Sequence, residues 1–196
     1  LFAFRLAKRL ETDVVSTSKF TIQRATDGLF EEVVREVAAG FRDVPHRAEL
    51  FDALLARLIM SPECYRVIVC PNEYGDFVSD AACGIVGSLG LGASASYSFD
   101  AESRRDLALF DPAGGTAPDI AGKGICNPAG ALWAFAMLLE HAGFRGLGHA
   151  LDEAVRETIT RGETTSDLGG NLDTMGFAEA ACSTLRSRLT AGSGRS

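Results

Sequence analysis

"PNEYGDFVSDAACGIVG", residues 71–87, directly follows the short apolar run "VIVC" and decides how the chain is read. Its apolar positions recur at helical spacing, which predicts a helix to about Val86, yet the segment carries Asp76 and Asp80. Positions i and i+4 share one helix face, so the two carboxylates reach the same point in space. Two like charges that close repel unless a cation lies between them. Phe77, Val78, Ala81, Ala82, Ile85 and Val86 fill the other faces and predict a largely buried helix. In one reading Asp76 caps the helix start and Asp80 is a solvated acid. In the other the pair is half of a cation site, and carboxylates with no Cys or His nearby suit a hard ion, Mg²⁺ or Mn²⁺.

Working outward, "YRVIVC" reads as a short buried strand and "DVVST" as another. Residues 2–10 read as the end of a helix. Residues 28–39 form a second, with Asp27 as N-cap, a stripe of Phe30, Val33, Val34 and Val37, and Gly40 as the stop. Residues 48–60 read as a third helix. Strands alternating with helices predict an α/β fold with parallel or mixed strands. Beyond residue 87, "GSLGLG" marks a lobe boundary, residues 107–110 suggest a strand, and a glycine-rich loop spans residues 111–128. Three helices follow, at residues 129–142, 147–161 and 174–189. The first is apolar nearly all round and, with Trp133, is expected in the core.

The chain's 19 basic and 26 acidic residues give a net charge of −7, which argues against a nucleic-acid partner. No apolar run approaches the roughly 20 residues of a membrane helix, and no export leader is visible, so neither a membrane nor export is expected. Five cysteines, Cys64, Cys70, Cys83, Cys126 and Cys182, are dispersed without paired spacing, which suggests reduced thiols and a cytoplasmic location. Cys126 reads as a small buried thiol. His46, His141 and His149 show no ligand spacing and read as surface or capping groups. The opening "LFAFRLAKRL", amphipathic from its first residue, suggests the later part of a longer protein.

Taken together, "NEYGDFVSDAACGIVGSLGL", "GGTAPDIAGKGICNP" and "SDLGG" resemble the isocitrate/isopropylmalate dehydrogenase family of metal-dependent, NAD(P)-linked oxidative decarboxylases. The resemblance runs to about Leu189 and corresponds to the later part of a family subunit, so the chain is expected to be incomplete for activity on its own. It implies that Asp76 and Asp80 bind the metal, with Asp52 in "LFDALLARL" as a third acid from a neighbouring subunit. Lys19 in "STSKFTIQRATDGLF" matches the catalytic lysine, also given across a dimer interface. The implied substrate is a small 2-hydroxy acid bearing a 3-carboxylate, of the isocitrate or 3-isopropylmalate type, and the implied assembly is a homodimer or higher oligomer. By the same resemblance Gly115, Thr116, Ala117, Asp119, Ile120 and Asn127 lie on the adenosine side of the cofactor. The Asp119 carboxylate can accept from ribose hydroxyls and would repel a 2′-phosphate, so NAD is the expected cofactor.

The expected fold is thus a partial, two-lobed α/β fold. Residues 1–86 belong to the smaller, dimer-forming and metal-binding lobe, 87–190 to the larger cofactor lobe, and 191–196 to a disordered tail. The active site is expected in the cleft between the lobes, completed by a second subunit. Three positions depart from the family pattern: Gly114 stands for a histidine, Thr21 for an asparagine and Gly176 for an acid. They keep open an alternative, a non-catalytic regulatory or assembly subunit. Retention of Lys19, Asp52, Asp76 and Asp80 favours catalysis.

Overall fold

The computed structural model describes residues 1–100 and 105–193, which form two units, Leu1–Ile85 and Val86–Ser196. In the first, β1 (Val14–Ser18) is the middle strand of a parallel three-stranded sheet, between β2 (His46–Leu50) and β3 (Ile68–Val69). Successive residues of a strand face opposite ways, and β1 uses this to feed two cores. Val14 joins Phe4 and Ala7 of α1 (Phe2–Arg9) and Val34 of α2 (Asp27–Ala39). Val15 joins Leu54 and Leu58 of α3 (Phe51–Met60) and Val78 of α4 (Asn72–Val86). Helices thus cover both faces, as a parallel sheet requires.

All five residues of β1 are buried, although three are hydroxylic. Ser16 and Ser18 lie on the α2 side, where their hydroxyls donate to the buried Glu31 at 2.6 and 2.8 Å. His46 corrects its reading as a surface group. It is half-buried, with Nε2 2.9 Å from the Ser16 oxygen. That oxygen already gives its proton to Glu31, so His46 is the donor.

Three further expectations change in this unit. Ala48 to Leu50 belong to β2 rather than to a helix from 48 to 60, because "HRAEL" is an edge strand held by Arg47 and Glu49 ion pairs instead of apolar side chains. Asp27 is the first residue of α2 and does not cap it; Thr26 precedes the helix without a side-chain cap bond. Finally, α4 is not buried in a single copy of the chain: Val78 is its one buried residue, while Phe77 is 56% and Val86 65% exposed.

In the second unit, β4 (Ala93–Phe99) and β5 (Arg105–Pro112) pair antiparallel. β4 is not among the expected elements, because its "ASASYSF" alternates small residues. Helices α5 (Ala129–His141), α6 (Arg145–Thr160) and α7 (Thr174–Ser193) enclose a core of Ala129, Ala136, Leu151, Val155, Phe177 and Ala181. Gly143 and Gly162 follow α5 and α6 with φ of +94° and +74°, the left-handed conformation that ends a helix. Gly130 is required for another reason. A Cβ there would lie 2.4 Å from the carbonyl oxygen of Gly92, so α5 crosses that backbone without room for a methyl. Helix α5 is less enclosed than its composition suggests, since Phe135 is exposed. Trp133 is partly buried, with the Arg156 guanidinium 5.5 Å above its ring. Helix α7 runs to Ser193, so the expected tail is helical at its start, and residues 194–196 lie outside the described residues.

Candidate active site

The first unit gathers its candidate residues where its parallel strands end. Lys19 follows the last residue of β1, Asp52 lies in the first turn of the helix entered from β2, and α4 begins shortly after β3. In open α/β sheets the carboxyl ends of the strands are where ligands bind, since loops there are free to carry polar groups while the strands stay packed.

Lys19 Nζ donates to Asp52 Oδ1 at 2.8 Å, with both side chains accessible. The Lys19 bond, followed by backbone N–H groups at the start of α3, holds the Asp52 carboxyl below the ordinary carboxylate value, as expected of an acid at a helix N-terminus. The main chain at Lys19 is held as well. Its N–H donates to Asp27 Oδ2 at 2.7 Å, and the same oxygen accepts from the Tyr74 hydroxyl at 2.9 Å. Tyr74 in turn accepts from Gln23 Nε2 at 3.2 Å, and its ring centroid lies 4.7 Å from that of Phe51.

Asp76 and Asp80 are exposed on α4. Within one copy they do not form a three-ligand group with Asp52. Among the described residues, the group of that kind is His149, Asp152 and Glu153 on α6. His149 therefore does have ligand spacing, against expectation. However, Asp152 is paired with Arg156 and Glu153 with Arg188, so both acids already have counter-charges. Cys70 sits beneath the start of α4, where burial and then the Asp76 charge push its thiol up to about 11, which makes it an inert packing group.

In the second unit Gly115, Thr116 and Asp119 are exposed on the loop, and Ala117 and Ile120 are half-buried. Gly115 (φ +64°) and Ala117 (φ +38°) are both left-handed, and the Ile120 N–H closes a turn onto the Ala117 carbonyl at 3.1 Å. The loop's far end is pinned to α7. Thr174 donates its N–H to the Gly124 carbonyl at 2.8 Å and its hydroxyl to the Cys126 carbonyl at 2.6 Å. Cys126 is exposed rather than buried. Asn127, by contrast, is 7% exposed, and both ends of its amide are engaged: Nδ2 donates to Asp167 Oδ2 at 2.9 Å, and Oδ1 accepts from the Ala129 N–H at 3.0 Å.

Asp167 was not singled out by the sequence, although "SDLGG" was one of the matching segments. It also accepts from Thr165 at 2.6 Å and from Ser88. Burial alone would raise its carboxyl, but these hydrogen bonds outweigh burial and hold it below the ordinary value. Gly176, which stands for an acid in the family pattern, donates its N–H to Asp173 Oδ1 at 2.7 Å and so takes part in starting α7.

A parallel sheet with helices on both faces defines the first unit as α/β. The chain's family follows from comparison: residues 1–185 match the isocitrate/isopropylmalate dehydrogenase family, and the chain belongs to it. It is 42% identical over 185 residues to the 3-isopropylmalate dehydrogenase of Archaeoglobus fulgidus, covering 94% of this chain and 55% of that protein. It is 35% identical over 183 residues to the human isocitrate dehydrogenase [NAD] subunit alpha, mitochondrial, covering 92% of this chain and 49% of that one. The crystal structure of isocitrate dehydrogenase from Methylococcus capsulatus superposes with a TM-score of 0.86 at 37% identity, over 94% of this chain and 54% of that chain. The chain thus spans about half the length of the relatives it matches.

Proposed function

We propose that the chain serves the NAD-dependent oxidative decarboxylation of a 2-hydroxy-3-carboxy acid, of the isocitrate or 3-isopropylmalate type, with Mg²⁺ or Mn²⁺. The observation that carries this reading is the 2.8 Å contact between Lys19 and Asp52, two residues 33 positions apart to which the family resemblance separately gives roles. The donor set fits a hard cation: Asp52, Asp76 and Asp80 offer accessible carboxylates and no soft ligand.

A cation held by these three acids would acidify the substrate's α-hydroxyl and draw electrons from the β-carboxylate. Lys19, aimed by Asp52, would help remove the hydroxyl proton once its own ammonium proton has passed to solvent. The hydride on the same carbon would then pass to the nicotinamide, leaving a carbonyl, and the β-carboxylate would leave as CO₂, its C–C bonding pair moving onto that carbonyl as an enolate that is then protonated. Gly115, Thr116, Ala117, Asp119 and Ile120 would hold the adenosine side of NAD, with Asn127 and Asp167 bracing the loop from beneath. The exposed Asp119 would disfavour a 2′-phosphate.

We further propose that the site is shared between copies of the chain, Lys19 and Asp52 coming from one and Asp76 and Asp80 from the other. Phe77 and Val86 on α4, and Ile59 and Met60 on α3, are exposed apolar groups that a second copy would cover. Five free cysteines suit a reducing compartment, the cytoplasm in our reading. The described residues contain no helix long and apolar enough to cross a membrane.

The test is Mg²⁺-dependent NAD reduction scanned over 2-hydroxy acids that carry a 3-carboxylate. NAD should exceed NADP by at least about tenfold in kcat/KM, a difference of about 1.4 kcal/mol. Equal use of the two would remove the Asp119 argument, and no reduction with any such acid by the chain joined to the earlier part of a family subunit would contradict the proposal.

A further inference from the structure

The Asp27 carboxylate is 6% exposed, and its Oδ2 accepts two hydrogen bonds from residues far apart in the chain. One donor is the backbone N–H of Lys19, 8 residues earlier, and the other is the Tyr74 hydroxyl, 47 residues later. An acid in the first turn of a helix would ordinarily serve its own helix end. This one instead ties the residue after β1 to the first turn of α4, the helix that bears Asp76 and Asp80. The Tyr74 ring also packs on Phe51, the neighbour of Asp52.

We infer that Asp27 and Tyr74 form a positioning pair that fixes the Lys19 backbone relative to both Asp52 and the acid-bearing helix. The inference rests on the reading of Lys19 as the proton acceptor and adds to it the residues that aim it. A lysine on a flexible stem can lose its bond to Asp52 through a small shift of its own main chain. Misplacement of a catalytic group on the scale of 1 Å reduces rate by up to about 10²-fold.

Three variants test the pair. D27N keeps an acceptor oxygen, D27L removes it with the same branching, and Y74F removes only the hydroxyl while leaving the ring on Phe51. The first readout is competitive acylation of Lys19 by acetic anhydride in the full chain without added ions, followed by peptide mass spectrometry with Lys123 as reference. Acylation should quicken about fivefold in D27L and Y74F and stay within about twofold of the parent in D27N. The second readout is turnover: kcat should fall about tenfold in D27L and Y74F with KM within about twofold, and D27N should recover most of it.

A merely structural role would lower the melting temperature and move neither readout. Unchanged acylation and kcat in folded D27L and Y74F would overturn the inference. Should D27L fail to fold, Y74F decides by itself, because it deletes one oxygen. If Lys19→Ala retains turnover, the catalytic reading falls, while the acylation rates still decide whether the pair positions Lys19.

Discussion

Asp167 draws on three donors, Ser88, Thr165 and Asn127, and its carboxyl is held below the ordinary value despite burial. A carboxyl depressed in the folded state stabilises above its unfolded value, near pH 4, and that contribution is lost as pH falls further. Asp167→Asn should therefore cost about 1 kcal/mol at pH 7, the low end for a charge-assisted network because the carboxyl is only partly buried. By pH 3 the difference from the parent should narrow, as read by urea unfolding at the two pH values. The residues proposed to meet ligand, Lys19, Asp52, Asp76, Asp80 and Asp119, stand in recognisable local strings of the sequence. The residues that hold them did not stand out. Asp27, Tyr74 and Asp167 act through partners up to 79 positions away, and no local pattern encodes such a bond.

At the scale of elements, most helices were legible because their apolar spacing and glycine stops are local signals. β2 was hidden because its strand is secured by charge pairs, and β4 because its alternation uses Ser and Ala rather than large apolar groups. Helix α4 carried the opposite error. Its apolar faces predicted burial, but they are exposed in the single copy, which is what a helix seated against a second copy would require. Gly130 gives a test of packing with an unusual sign. Gly→Ala inside a helix normally stabilises, by about 0.5–1 kcal/mol. Here the new methyl would collide with the Gly92 carbonyl at 2.4 Å, so Gly130→Ala should instead destabilise the second unit by about 1–3 kcal/mol in chemical denaturation. A stabilised variant would mean that α5 does not cross that backbone so closely.

For the whole molecule, the chain covers about half of its relatives' length and holds the two halves of the acid set on α3 and α4 without joining them in one copy. The central claim is that two copies complete one site. Its most direct measurement is complementation between Lys19→Ala and Asp80→Asn, each prepared alone and then co-assembled, with Mg²⁺-dependent NADH formation as the readout. Each variant alone should lose about 10²-fold or more of the parent rate. Co-assembly should restore about a quarter of it, because half of randomly paired dimers are mixed and each mixed dimer has one intact site of two. A mixture no more active than its parts, or a Lys19→Ala variant within a few-fold of the parent, would contradict the account.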